Sequence, residues 1–112
     1  MDMIADWSAA GLALIYGGLT FWAGLAQVSL HKLPAWAAIV HAGFGLLTVL
    51  GGLLLPFGSP WAFPVLLAGL AGIHLMALHN GARLFGRIKL SHHLSRLAIS
   101  LALLGLAYLS LQ

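Results

Sequence analysis

Apolar residues along this chain run in four long stretches with little alternation, and each break between them is marked by turn-forming or basic residues. The stretches are Ile4–Ser29, Pro34–Leu55, Trp61–Phe85 and Lys89–Leu109. A helix needs about 20 mostly apolar residues to cross a hydrocarbon core of about 30 Å, so each stretch predicts one spanning helix. The breaks are His31-Lys32-Leu33-Pro34, Pro56-Phe57-Gly58-Ser59-Pro60 and Gly86-Arg87-Ile88-Lys89. Pro34 suits a first helical turn, and Pro64 falls in the first turn of the third span, where a proline costs little. Connections this short make successive helices antiparallel neighbours. The predicted fold is therefore an all-α membrane protein, an antiparallel up-down-up-down four-transmembrane-helix bundle. It forms one integral membrane domain over residues 1–112.

Within the spans, small and polar residues recur at helical spacing. Helices in lipid pack through small residues that let backbones approach, so these stripes predict the inward faces. The first runs Ala10, Ala13, Gly17, Thr20, Gly24 and Gln27; the second Pro34, Ala38, His41, Gly45, Thr48 and Gly52. The third is Gly69, Gly72, Met76, His79 and Arg83, and the fourth Ser91, Ser95, Ala98, Ala102 and Gly105. Large aliphatic residues such as Leu46, Leu47, Leu54, Leu66, Leu101 and Leu104 fill most other positions.

Composition supports the membrane assignment and narrows the function. Of 112 residues, 62% are hydrophobic and 6% charged, with mean hydropathy +1.03. A soluble domain carries roughly 25% charged residues, so a soluble enzyme and a disordered chain are excluded. The net charge of +3 comes from five basic residues spread along the chain, which form no nucleic-acid patch. The absence of cysteine removes disulfides, iron–sulfur clusters and thiolate chemistry.

The few charges are placed unevenly. Lys32, Arg83, Arg87, Lys89 and Arg96 all fall at the end of the bundle carrying the first and third connections. The positive-inside rule puts that end in the cytoplasm and both termini outside, in a plasma (inner) membrane. The two acids, Asp2 and Asp6, lie at the opposite end. Trp7, Trp36 and Trp61 fall near interfaces, whereas Trp22 lies deeper. The first stretch is too long, and its start too acidic, for a cleaved signal peptide.

His41 and His79 fall at similar depth on their stripes, about 10 Å inside the basic end. With Gln27, Arg83, Ser91 and Ser95 they predict a polar pocket in that half of the bundle, the other half being dry. Ionisable residues inside a membrane are costly and mark functional sites. Two imidazoles on facing helices suit axial coordination of a b-type haem, so His41 and His79 are candidate metal ligands for haem-linked electron transfer, or else each only hydrogen-bonds a neighbouring helix in a structural role. Gly43, Gly45, Gly72 and Gly81 would admit the flat ring, and Arg83 would pair with a propionate. His74, about 140° around the helix from His79, is a further ligand or an interhelical hydrogen-bonder. His92 pairs with Arg96 at i, i+4 in holding an anion, or both stay solvated at the interface, with Arg96 snorkelling to headgroups.

The segments Val40-His41-Ala42-Gly43-Phe44-Gly45 and Ile73-His74 to His79 resemble the haem-ligating helices of membrane b-type cytochromes, which implies haem as cofactor. The order of four short spans, with Gly24 late in the first and a glycine-rich second, resembles DoxX-like membrane proteins, although the second span carries no acid. Other functions draw on the same residues: quinone or lipid binding in the pocket, a small oligomeric transporter, or an accessory or assembly subunit of a larger membrane complex. A cation exporter is disfavoured, because the chain has no Glu and no acid deep in a span. No hydrolytic or transferase motif is present, so any redox chemistry would be a cofactor's.

Overall fold

The computed structural model describes residues 3–31, 33–85 and 90–110, with the backbone alone at 83–85. Four helices follow the four apolar stretches: α1 (Met3–Leu30), α2 (Ala35–Leu54), α3 (Ala62–Phe85) and α4 (Leu90–Ser110). Their ends agree with the sequence boundaries to about one residue, within the usual scatter of helix assignment. All four are long and apolar enough to cross a membrane. The molecule measures 44 × 24 × 18 Å, and its long axis matches a bilayer of about 40–45 Å including headgroups.

The turns form for local reasons. His31 adopts a left-handed conformation (φ 55°) and its N–H donates to the Gln27 carbonyl at 3.1 Å, which stops α1. Pro34 caps α2, and its carbonyl accepts from the Ala37 and Ala38 N–H groups. After α2, a short 3-10 turn over Leu55–Phe57 ends at Gly58, whose φ of 70° is readily reached without a Cβ. The Ser59 hydroxyl then accepts from the Trp61 N–H at 3.2 Å and leads into α3.

Each helix packs against its neighbours in the ring α1–α2–α3–α4. The α1–α2 contact is backbone to backbone. A Cβ added at Gly17 would lie 2.5 Å from the Gly45 carbonyl oxygen, and one at Gly45 2.7 Å from that of Gly17. Gly69 presses in the same way on Thr48, and Gly72 on the Phe44 ring, so α3 is held in one rotation against α2. The fourth helix packs more sparsely against α1 and α3.

The stripes on α1 and α2 are buried as expected, apart from the half-buried Gln27 and Pro34 at their ends. The stripe on α4 is not. Ser91, Ser95, Ala98, Ala102 and Gly105 are exposed, and α4 instead buries Ser100, Leu103, Ala107 and Ser110. Small residues cost nothing on a lipid-facing surface, and Ser95 satisfies its hydroxyl within the helix by donating to the Ser91 carbonyl at 2.9 Å. Leu66 also departs from expectation, being fully buried.

The two halves of the bundle differ. Around the α2–α3 turn and the chain ends, Ala9, Ala13, Leu55, Ala62, Leu66, Leu70, Leu103 and Ala107 form a closed apolar core. Asp6, 4% exposed, accepts a hydrogen bond from the Ser110 hydroxyl and ties the start of α1 to the end of α4. A carboxylate in the first turn of α1 also faces the positive end of that helix dipole. The opposite half holds the polar groups.

Candidate functional site

The polar half of the bundle encloses a cavity of about 140 Å³ that draws residues from all four helices. Its polar lining is Gln27 from α1, His41 from α2, Asn80 from α3, and His92, His93 and Arg96 from α4. Small and apolar residues, Leu33 and Ala77 among them, complete the wall. Gly17, Gly24 and Gly45 bring α1 and α2 close together beside it, which sets Gln27 and His41 on the same side of the bundle.

Three lining residues carry buried polar atoms with no hydrogen-bond partner among the described residues: Gln27 Oε1, His41 Nδ1 and His93 Nδ1. An unsatisfied buried polar atom costs about 1–3 kcal/mol, so a site with three calls for a polar occupant. Arg96 supplies a permanent positive charge with up to five donors. No carboxylate lines the cavity among the described residues. The chain's two acids are Asp2 and Asp6, and Asp6 is bonded to Ser110 at the far end. The site is therefore cationic and rich in donors.

His79 acts at one remove. Its Nδ1–H donates to Asn80 Oδ1 at 3.0 Å, and its ring lies 5.3 Å from that of Trp36 at a tilt of 51°. The acceptor side of the Asn80 amide is thereby occupied, which leaves its NH₂ donors for the cavity. His74 shares a 2.8 Å hydrogen bond with Ser100 across the α3–α4 contact. Arg96 lies within electrostatic reach of His41, His74 and Tyr16, whose hydroxyl is buried beside it. A polar track thus runs inward along α4 from His93 through Arg96 to Ser100 and stops at the apolar core.

Of the residues singled out in the sequence, Gln27, His41 and His92 share the cavity. His79 and His74 do not line it, Ser91 and Ser95 face outward, and the side chain of Arg83 lies outside the described residues. The imidazoles of His41 and His79 therefore do not converge on one space. Of the glycines expected to admit a haem, Gly45 and Gly72 seat neighbouring helices and a Cβ at Gly43 would meet nothing, whereas Gly81 lines the cavity. The cavity is also well below the roughly 300–1,000 Å³ of cofactor-sized pockets, and near the ~150 Å³ that admits a benzene-sized guest. These residues, in this arrangement, do not fit a bis-histidine haem.

Asn80 and His93 complete the site and were not placed in it by sequence, whereas Arg96 was expected there as the anion-holding partner of His92. The available signal was the spacing of His93, Arg96, Ser100, Leu103 and Ala107, which puts the bulkier polar residues of α4 on the face that also carries buried Leu103. The chain matches no known family model, no curated protein and no solved structure, so geometry alone carries the functional assignment.

Proposed function

We propose that this is an integral membrane protein that binds an anionic, oxygen-rich group in the His/Arg cavity at the basic end of its bundle. The observation that carries this is the convergence of Arg96 and the unpartnered ring nitrogens of His41 and His93 on one cavity that holds no carboxylate among the described residues. Phosphate or carboxylate oxygens would accept from the Arg96 guanidinium and the Asn80 amide, in the charge-assisted bonds that low dielectric strengthens. His41, His92 and His93 add ring nitrogens that donate or accept according to tautomer. The positive-inside rule places this end in the cytoplasm of a cell whose plasma membrane holds the protein.

The test is a titration of the purified protein with glycerol 3-phosphate, followed by intrinsic tryptophan fluorescence, since the Trp36 ring packs at a tilt against the His79 that holds Asn80. Saturable binding that weakens at least tenfold in Arg96→Gln is expected. Binding that ignores this substitution would overturn the proposal. A Soret band in protein from haem-replete cells, abolished by His41→Ala, would instead restore the haem-linked electron carrier.

A further inference from the structure

We infer that the anionic group is the headgroup phosphate of a membrane phospholipid, which enters sideways between α1 and α4 and lays its acyl chain along α1. This rests on the anion-binding role of the cavity and identifies the source of the anion.

Two lining residues of the cavity are exposed, Ala23 on α1 and His92 on α4. Both belong to the α1–α4 pair, which packs sparsely compared with α1–α2. Ala23 lies seven residues before the end of α1 at Leu30, about 10 Å along the helix, so the seam reaches below the headgroup level. An opening at that depth faces lipid.

The outer surface of α1 beside this seam carries a groove of about 450 Å³, lined by Trp22, Leu25, Ala26, Ser29 and Leu30. Trp22 and Ala26 immediately precede Ala23 and Gln27, which line the cavity. Successive residues turn about 100° on a helix, so cavity and groove occupy adjoining faces of one stretch of α1 at one depth. The polar cavity has room for a headgroup anion, and the apolar groove for the chain attached to it. Trp22, the tryptophan that lies deeper than the interfacial belt, is 71% exposed and forms the groove wall. A phospholipid satisfies both features at once: its phosphate meets Arg96 and the histidines, while its chain never leaves an apolar surrounding. A soluble anion uses the cavity alone and gives the groove no role.

The experiment compares dioctanoyl phosphatidic acid with glycerol 3-phosphate on the full-length protein in detergent, with binding read by native mass spectrometry. The lipid is expected to bind at least tenfold more tightly than glycerol 3-phosphate. Trp22→Ala and Leu25→Ala, which open the groove wall on α1, should each weaken the lipid about tenfold and leave glycerol 3-phosphate unchanged. Arg96→Gln should weaken both ligands. If the lipid binds no more tightly than glycerol 3-phosphate, or is undiminished by both α1 substitutions, the lipid assignment is overturned and the cavity binds a soluble anion. If neither ligand depends on Arg96, the anion-binding role itself fails.

Discussion

Asn80 and His79 are neighbours on one helix and do different work. Asn80 is buried in the cavity wall, and His79 sits outside it against Trp36 with its Nδ1–H on the Asn80 amide oxygen. Asn80→Ala should weaken glycerol 3-phosphate binding about tenfold, the worth of one hydrogen bond to a charged group. His79→Ala should weaken it less, because the amide keeps its donors and loses only the bond that orients them. Equal losses in the two variants would place His79 on the ligand itself. Gln27 offers a complementary measurement. Its Oε1 is buried without a partner among the described residues, so Gln27→Leu should stabilise the ligand-free protein by about 1 kcal/mol without weakening anion binding. A lower melting temperature in detergent would show that Gln27 is already satisfied by bound water.

Individual helices show where small residues matter and where they are incidental. Gly45 faces Gly17 across a backbone contact, so Gly45→Leu should cost about 1–3 kcal/mol through overpacking and lower the melting temperature. A methyl group at Gly105 would meet nothing within 4 Å, so Gly105→Leu should change stability by less than about 0.5 kcal/mol. In sequence the two glycines look alike, each one member of a small-residue stripe. The stripes of α1 and α2 were legible because both helices use them against each other. The stripe of α4 was not, because lipid tolerates Ser, Ala and Gly as readily as a helix partner does. What orients α4 is the set of partners it meets: Ser100 on His74, Arg96 beside His41 and Tyr16, and Ser110 on Asp6.

The whole molecule is a bundle closed by apolar packing at one end and polar at the other. The apolar core and the Asp6–Ser110 bond seal the end that carries the termini, and the polar track along α4 stops against that core. With four spans both termini lie on one side, and the basic connections on the other. A periplasmic reporter fused after Gln112 should be active, and a cytoplasmic fluorescent reporter dark; the opposite result would invert the charge-based orientation.

Four helices, their ends and their antiparallel order follow from the sequence alone. Continuous apolar runs of spanning length allow one backbone solution in lipid, and Pro, Gly and basic residues mark where each run stops. So does the half of the bundle that holds polar groups, since His41, Gln27 and the basic residues lie toward one end. The membership of the site was decided by tertiary structure. Rotating α3 by one residue's turn of about 100° would exchange His79 for Asn80 at the cavity, and the seating of Gly69 and Gly72 against α2 sets that rotation. The rotation of α4, which brings Arg96 inward and turns Ser95 out, is set likewise by its partners. Helix formation depends on residues along one chain segment; the facing of a helix depends on its neighbours.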